Sequence, residues 1–175
     1  MNISELVLEL SDTIPDFPKS GIVFRDLTPV FADADAFTAV IDDLAARFSG
    51  RFDAVVGVEA RGFLLAAAIA YAKHVPLVAV RKAGKLPGEV LAENYALEYG
   101  TATLEIRPGQ LAPGSRVLIV DDVLATGGSS SAAARLVERS GYVVAGIGLV
   151  LELDGLGGRD RLSTYDVYSI VAERA

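Results

Sequence analysis

The chain has 175 residues, of which 51% are hydrophobic, and a formal net charge of −7. This length fits one α/β domain with a sizeable core, so we predict a single domain spanning residues 1–175. The acidic balance argues against general binding to nucleic acid or to anionic membranes. With no cysteine and one histidine, the chain cannot form disulfides or thiolate metal sites, and a histidine-based triad would be hard to build.

The sequence contains no stretch that predicts targeting or membrane crossing. The longest apolar run, Gly62 to Ala72, is too short to span a bilayer, and the N-terminus lacks a basic region followed by an apolar core. We therefore expect a cytoplasmic protein whose partner is a small molecule rather than a membrane or a nucleic acid.

Helical periodicity describes most of the first 48 residues. Apolar residues recur on one face from Ile3 to about Leu10, and again between Asp33 and Phe48, which predicts two amphipathic helices. Between them, Pro15 and Pro18 predict an extended segment.

Apolar runs typical of buried strands then alternate with helical segments. The strands are predicted at Ala54–Val58, Leu77–Val80, Val117–Val120, Val143–Leu151 and Val167–Ile170, and the helices at about Gly62–Lys73 and Ser129–Arg139. This alternation predicts an α/β fold with a mainly parallel sheet flanked by helices. Ligands of such folds bind at the carboxyl ends of the strands.

The region from about Lys82 to Thr103 departs from this alternation because it is polar and rich in glycine. It carries weak strand signals at Asn94–Leu97 and Thr103–Ile106. Long polar loops in compact domains are commonly lids, so we interpret this region as a mobile flap with a short hairpin.

The most informative segment joins the strand at Val117 to the helix after Ser129. The strand ends in Asp121 and Asp122, and Gly127 and Gly128 follow. Glycines allow a tight turn and close approach to a ligand, and a helix N-terminus favours an anion. Adjacent carboxylates at a buried strand end are costly, but they can bind ribose hydroxyls or a divalent cation. The alternative is an ordinary strand–loop–helix joint capped by Thr or Ser.

This segment resembles the phosphoribosyl-pyrophosphate signature of the type I phosphoribosyltransferases, in which an acidic pair precedes a 5′-phosphate loop. Four more segments are similar to the adenine-specific members of that family: Asp16–Pro29, Glu59–Phe63, Val80–Pro87 and Tyr95–Gly100. The resemblance covers nearly the whole chain, from about Pro15 to Leu162. It implies a type I phosphoribosyltransferase fold with an N-terminal hood and a flexible catalytic flap.

The resemblance also implies a reaction. The family transfers a 5-phosphoribosyl group from phosphoribosyl pyrophosphate to adenine, giving AMP and pyrophosphate. It uses Mg²⁺, which would bridge the ribose hydroxyls and the pyrophosphate, with Asp121 and Asp122 as indirect contacts. Members of the family are usually homodimers.

The resemblance assigns two groups of residues to phosphoribosyl pyrophosphate. The phosphoribosyl part is matched to Asp121, Asp122, Ala125, Thr126, Gly127, Gly128 and Ser129, and the pyrophosphate to Ala60, Arg61, Arg81, Lys82 and Lys85. From the residues alone, Arg61 could instead pair with Glu59 on the surface, and the basic loop could simply be solvated.

Adenine is matched to the hood and to one residue after a strand. Phe24 would stack on the base, backbone groups of Val23 and Arg25 would read its edge, and Leu153 would cover its other face. From the residues alone, Phe24 could instead anchor a loop to the core, and Leu153 would be a core residue.

Two residues of the predicted flap complete the catalytic set. The resemblance makes Glu98 the proton-transfer group at the purine N7 and Tyr99 a residue that closes the site over the sugar, beside Arg61 as a third catalytic residue. On its own, a glutamate on a polar hairpin is usually a surface residue.

The chain departs from the family pattern at three positions, where Ser129, Ala66 and Ser20 replace the commoner Thr, Gly and Pro. Serine at 129 keeps a hydroxyl for the 5′-phosphate.

Two other functions remain open from the sequence: a phosphoribosyltransferase for a different base, and a transcription regulator that senses phosphoribosyl pyrophosphate. Such regulators carry an added DNA-binding segment and a basic surface, and we expect this acidic chain to have no room for such a segment.

Overall fold

The structure is a computed structural model that describes residues 2–17, 20–21, 23–97 and 100–174. In chain order its elements are α1 (Ile3–Leu10), β1 (Asp12–Pro15), β2 (Val23–Asp26), α2 (Thr28–Ala32), α3 (Ala34–Arg47), β3 (Ala54–Val58), α4 (Gly62–Lys73), β4 (Leu77–Lys82), β5 (Leu91–Ala96), β6 (Thr101–Ile106), β7 (Arg116–Leu124), α5 (Gly128–Arg139), β8 (Val143–Asp154), α6 (Gly158–Arg161) and β9 (Val167–Arg174).

Seven strands form the central sheet, in the order β5-β6-β4-β3-β7-β8-β9. Strands β4, β3, β7, β8 and β9 are parallel to one another. The β5–β6 hairpin extends the sheet antiparallel to β4. The sequence-based prediction of a mainly parallel sheet is therefore confirmed.

Helices cover both faces of the sheet because the central strands are apolar on both sides. Along β7, Leu118 and Val120 pack on the face covered by α3 and α4, whereas Val117 and Ile119 pack on the face covered by α5. This alternation follows from the pleat of a strand. It explains why the strand reads as a continuous apolar run.

The helix α4 begins and ends at the residues predicted from sequence, as do α1 and β3. Helix α3 has Asp33 as its N-cap, with the side-chain oxygen 2.8 Å from the backbone nitrogen of Ala36. Helix α4 has 12 residues, and within the described ranges no helix is long and apolar enough to cross a bilayer.

The N-terminal segment differs from the prediction. Instead of one extended segment after Pro15, β1 and β2 pair antiparallel, with Ile14 opposite Phe24. The Arg25 side chain ties this hairpin to the main sheet, because its Nε lies 3.1 Å from an oxygen of Glu173 on β9. We call the β1–β2 hairpin the hood.

Candidate functional site

The acid pair lies inside strand β7 rather than at its end. Val120 is the last residue of β7 that pairs with β3, where it faces Gly57, but β7 continues to Leu124 along β8. The sequence-based strand end at Val120 was therefore wrong, because β8 supports the extra residues. Asp121 and Asp122 lie where β7 projects beyond its neighbour β3.

The N-terminus of α4 closes this projection from one side. A methyl group on Gly62 would lie 2.7 Å from the Val120 carbonyl oxygen and 3.0 Å from Oδ1 of Asp121. Both distances are below van der Waals contact, so only glycine permits this approach. The helix consequently begins directly against the acid pair.

Both carboxylates are nearly enclosed, Asp121 being 8% and Asp122 6% exposed. Burial, and then the neighbouring charge of Asp122, raise the pKa of Asp121 well above its ordinary value, whereas Arg61 acts in the opposite direction. Oδ1 of Asp121 accepts a hydrogen bond from the backbone nitrogen of Asp122 at 2.9 Å. The site therefore holds negative charge that the protein compensates only in part.

Arg61 supplies the nearest positive charge. Its Nε lies 2.6 Å from Oδ2 of Asp122, but the contact lacks hydrogen-bond geometry, and this buried oxygen accepts no hydrogen bond within the described part of the chain. Buried polar atoms are nearly always hydrogen-bonded. Oδ2 of Asp122 thus keeps unused acceptor capacity, although Arg61 lies against it.

The loop between β3 and α4 positions Arg61 as expected, at the same sheet edge as the acid pair. The alternative pairing of Arg61 with Glu59 is not what the structure contains. Glu59 instead lies 3.4 Å from Nε of Arg81 and accepts a hydrogen bond from the backbone nitrogen of Lys82 at 2.8 Å. Ala60, the remaining residue of this loop, is exposed.

Of the three basic residues predicted to bind pyrophosphate after β4, one makes contacts within the protein and two are exposed to solvent. Arg81 donates a hydrogen bond to the carbonyl oxygen of Lys85 at 3.3 Å, and its guanidinium carbon lies 5.9 Å from the ring centre of Phe63. Lys82 and Lys85 are exposed. Arg81 therefore shapes the loop, while the two lysines present charge to the solvent.

The turn between β7 and α5 has the backbone that the sequence predicted. Gly127 has a φ of +74°, and α5 begins at Gly128, one residue earlier than predicted. Gly127 occupies the N-cap position, so no side chain caps this helix. The capped joint considered as the alternative is therefore absent, and the first backbone N–H groups of α5 suit an anion.

A cavity of about 220 Å³ lies against this turn. Its lining joins residues 123–130, which include Ala125, Thr126 and Ser129, to the end of β5 at Tyr95, Ala96 and Leu97. The glycine turn and the predicted flap thus form two walls of one cavity.

Tyr95 is a site residue that the sequence reasoning did not single out. A methyl group on Gly128 would lie 3.1 Å from Cδ2 of Tyr95, so the aromatic ring packs directly on the start of α5. Burial and the charge of Asp121 raise the pKa of Tyr95. The alternation of half-buried residues in β5, with Glu93 and Tyr95 on one face, is the signal that could have identified it.

The β5–β6 hairpin is tied to helix α5 at its base. Glu93 accepts hydrogen bonds from Arg135 at 2.6 Å and from Arg139 at 2.8 Å. The hairpin in the predicted flap is confirmed, while its mobility stays a prediction. Glu98 and Tyr99 lie outside the described residues, so their roles stay predictions too.

The hood reaches the site through Phe24. The guanidinium carbon of Arg61 lies 5.7 Å from the centre of the Phe24 ring. Val23 and Arg25 flank this residue, and alternate residues of a strand direct their backbone groups to the same edge. Since the Arg25 side chain is engaged by Glu173, its backbone is the part suited to a ligand.

Leu153 lies at the end of β8, half-buried and packed against the core. It pairs in register with Glu173 of β9, the residue that binds Arg25 of the hood. Its position beside the hood fits the predicted contact with adenine. Its packing against the core also fits the alternative, in which Leu153 is simply a core residue. The role of Leu153 therefore stays a prediction.

Comparison with known proteins agrees with this geometry. The phosphoribosyl transferase domain family matches residues 30–172. The adenine phosphoribosyltransferase of Clavibacter michiganensis subsp. michiganensis is 68% identical over 168 residues, which cover 96% of this chain and 95% of that protein.

Two solved structures are similar over almost the whole fold. The crystal structure of adenine phosphoribosyltransferase from Thermoanaerobacter pseudethanolicus has a TM-score of 0.92 at 49% identity, covering 97% of this chain and 99% of the other. The Saccharomyces cerevisiae enzyme, crystallised with an imino-altritol bisphosphate and adenine, has a TM-score of 0.91 at 39% identity, covering 97% and 98%. The chain therefore belongs to the phosphoribosyltransferase family, among the adenine phosphoribosyltransferases.

Proposed function

We propose that this chain transfers the 5-phosphoribosyl group from phosphoribosyl pyrophosphate to adenine, giving AMP and pyrophosphate for purine salvage. One observation carries the proposal. At a single sheet edge, the unbonded carboxylate oxygen of Asp122, the guanidinium of Arg61 and the uncapped turn at Gly127 lie together. They supply, in order, an acceptor for a sugar hydroxyl, a cation for pyrophosphate and N–H groups for a phosphate.

The phosphoribosyl part of the substrate fits the cavity beside α5. Backbone N–H groups from Thr126 to Ser129 would bind the 5′-phosphate, with the Ser129 hydroxyl as a further donor. Asp122 would accept a hydrogen bond from a ribose hydroxyl. Charge-assisted bonds of this kind are roughly twice as strong as neutral ones, which suits an acid pair to holding the sugar.

Pyrophosphate would lie against the loop that carries Ala60 and Arg61. A guanidinium presents a planar pair of donors that matches phosphate oxygens, and Lys82 and Lys85 add positive charge at the neighbouring strand end. Arg81 contributes by holding the loop that carries Lys85. In a protein with a net charge of −7, this local cluster is what can offset the leaving group.

The donor set suits Mg²⁺ shared with the substrate. Within the described residues, no group of three or more histidine and acidic side chains could hold a metal on its own. Magnesium typically keeps waters and uses one or two carboxylates with substrate phosphates, so Asp121 and Asp122 would reach it indirectly. Bound in this way, it would neutralise charge on the departing pyrophosphate.

Catalysis would come from positioning and charge stabilisation. As the bond from C1′ to pyrophosphate breaks, C1′ becomes oxocarbenium-like and N9 of adenine bonds to it, so no covalent enzyme intermediate is needed. Arg61 would stabilise the charge on pyrophosphate, and Glu98 would accept the proton that leaves N7 of adenine as N9 bonds to C1′. Tyr99 and the hairpin would close over the sugar and exclude water, which competes with adenine.

Adenine would bind between the hood and β8. Phe24 would stack on one face and Leu153 pack on the other, while backbone groups of Val23 and Arg25 read the edge of the base. The position of Phe24 against Arg61 supports this arrangement, because it brings the stacking ring next to the proposed pyrophosphate site.

We also propose that two copies associate in the cytoplasm. The outward face of α4 is apolar, with Leu64 54% and Tyr71 85% exposed, and such a helix face usually packs against a partner. The helix begins at the candidate site, so the second copy would lie close to it. Light scattering of wild type and of Tyr71→Asp tests this, because the variant should be monomeric if the face is the contact.

A panel of bases with phosphoribosyl pyrophosphate and Mg²⁺ tests the proposed activity. We expect AMP and pyrophosphate in equal amounts with adenine, and no comparable turnover with hypoxanthine, xanthine, guanine or orotate. Efficient turnover of another base would favour a different phosphoribosyltransferase. Binding of phosphoribosyl pyrophosphate without any transfer would favour the sensing function.

A further inference from the structure

An ion pair between a buried carboxylate and a half-exposed guanidinium lies one layer behind the glycine turn. Glu152 of β8 is 3% exposed, and Nε of Arg159 in α6 donates to its Oε1 at 2.9 Å. A second guanidinium nitrogen and the hydroxyl of Ser169 both donate to Oε2. The hydrogen bond from Arg159 is the main cause that lowers the pKa of Glu152. This carboxylate is therefore charged and fully engaged.

The residue before Arg159 contacts the glycine turn through its backbone. A methyl group on Gly158 would overlap the carbonyl oxygen of Ala125, and one on Gly127 would lie 3.0 Å from the carbonyl oxygen of Gly158. The turn before α6 and the turn before α5 thus touch backbone to backbone. A movement of Gly158 would therefore displace its neighbours Ala125 and Gly127.

Helix α6 cannot hold Gly158 in place by itself. It has only four residues, and isolated helices of that length are not stable in water. Leu162, which is completely buried, anchors its C-terminal end. At the other end the anchor is Arg159, which also donates to the carbonyl oxygen of Val167 at 2.6 Å.

We infer that Glu152 and Arg159 are positioning residues, which fix the 5′-phosphate loop by holding Gly158 against Ala125 and Gly127. The inference rests on the proposed function, in which that loop binds the phosphate. Neither side chain is placed in contact with the substrate. Breaking the pair should therefore weaken binding of the phosphorylated ligand while leaving the adenine site and the chemical step in place.

Steady-state kinetics of Arg159→Ala separates these effects. We expect the KM for phosphoribosyl pyrophosphate to rise about tenfold. This is smaller than the roughly hundredfold loss of activity that a 1 Å misplacement of a binding group can cause. The kcat and the KM for adenine should stay within about twofold, since no group that acts on the base is removed. General loosening of the fold would raise both KM values together. Calorimetric titration with AMP should show the same loss of affinity.

Two further arginine variants serve as controls, one at a distant ion pair and one that keeps the charge at position 159. Arg116→Ala breaks the ion pair with Asp53 at the opposite end of β7, where Nη2 lies 2.6 Å from Oδ1, and should leave both KM values unchanged. Arg159→Lys keeps the charge but not the forked contact, so its KM should lie between those of wild type and Arg159→Ala. If Arg159→Ala does not fold, Ser169→Ala removes one donor to Glu152 and should give a smaller change of the same kind.

An unchanged KM for phosphoribosyl pyrophosphate in a folded Arg159→Ala protein would overturn the inference, as would equal increases in both KM values. A wild-type protein that fails to make AMP at all would overturn the proposed function instead. The two failures are therefore distinguishable in one set of assays.

Discussion

Nε of Arg61 lies 2.6 Å from Oδ2 of Asp122, and this buried oxygen nevertheless accepts no hydrogen bond within the described residues. The ion pair offsets charge, but it leaves the acceptor capacity of the carboxylate unused. We expect a sugar hydroxyl to use that capacity once Arg61 moves away from the oxygen. We expect Arg61 to turn toward pyrophosphate when the substrate binds, since its contact with Asp122 lacks hydrogen-bond geometry.

Asp122→Asn should weaken binding of phosphoribosyl pyrophosphate with Mg²⁺ by roughly 1.5–3 kcal/mol, the size of a hydrogen bond to a charged group. The amide keeps the shape of the side chain, so the protein should remain folded. Calorimetric titration measures the loss, and Asp53→Asn at the other end of the sheet should show none. Wild-type affinity in Asp122→Asn would mean that the acid pair does not bind the sugar.

The stability of the protein should depend on pH through Asp121. Its pKa is raised above the ordinary 3.8 by burial and by Asp122, so the folded state binds the proton more tightly than the unfolded state. The free energy of unfolding should therefore fall as pH rises from about 4 through the raised pKa.

Asp121→Asn removes this titration. Denaturant unfolding between pH 4 and pH 9 should show that the variant gains stability over wild type as pH rises, although it binds phosphoribosyl pyrophosphate less tightly. A difference between variant and wild type that does not change with pH would contradict the raised pKa.

Gly127→Ala should cost both stability and ligand affinity. Gly127 and Gly109 have the same φ of +74°, but only a methyl group on Gly127 would meet another segment, at Gly158. Backbone strain of about 1–2 kcal/mol is expected in both variants. AMP affinity should fall only in Gly127→Ala. Equal AMP affinity in the two folded variants would rule out a phosphate site at this turn.

The structure adds a steric reason for this glycine to the one that the sequence suggested. From the sequence, a side chain at Gly127 was expected to block the approach of the phosphate. In the structure it would first collide with the backbone of Gly158.

Phe24→Ala should raise the KM for adenine without admitting guanine, because stacking does not distinguish bases whereas edge contacts do. Phe24→Tyr keeps an aromatic face and should behave like wild type. The measurement is a comparison of adenine and guanine turnover in the three proteins. Efficient guanine turnover by Phe24→Ala would show that the ring, rather than the backbone of Val23 and Arg25, selects the base.

Glu98→Gln should lower kcat by about 10²–10⁴-fold if this residue transfers the N7 proton. Substrate affinity should barely change, because the amide keeps size and hydrogen bonding. Glu89→Gln, an exposed glutamate in the preceding loop, is the matched control. A folded Glu98→Gln protein with kcat within about threefold of wild type would exclude the role, since general acid–base catalysis contributes at least about a hundredfold.

Hydrophobic periodicity predicted the buried elements well because their pattern is local. Ala54–Val58 is apolar on both faces, and Gly62–Lys73 consists largely of helix formers, so both elements have the predicted bounds. The end of β7 was wrong because Asp121 and Asp122 look like strand terminators. Only pairing with β8, which is distant in sequence, keeps them in the strand. The hood hairpin was missed for a similar reason, since its link to Glu173 is long-range.

For the site, the carboxyl ends of parallel strands lie at the same edge of the sheet, and this rule predicted that Arg61 and the acid pair would meet there. It could not predict Tyr95 or the pair of Glu152 and Arg159, because these reach the glycine turn only through tertiary packing. A tyrosine in a polar hairpin and an arginine in a glycine-rich turn carry no local sign of such contacts.

A crystal structure of the protein with AMP tests the assignment of the site most directly. We expect the 5′-phosphate at about 2.7–3.1 Å from backbone nitrogens of the loop from Thr126 to Ser129, and a ribose hydroxyl at Oδ2 of Asp122. Adenine should lie against Phe24. A phosphate bound instead along Lys82 and Lys85, or a ribose turned away from Asp122, would contradict the site described for this chain.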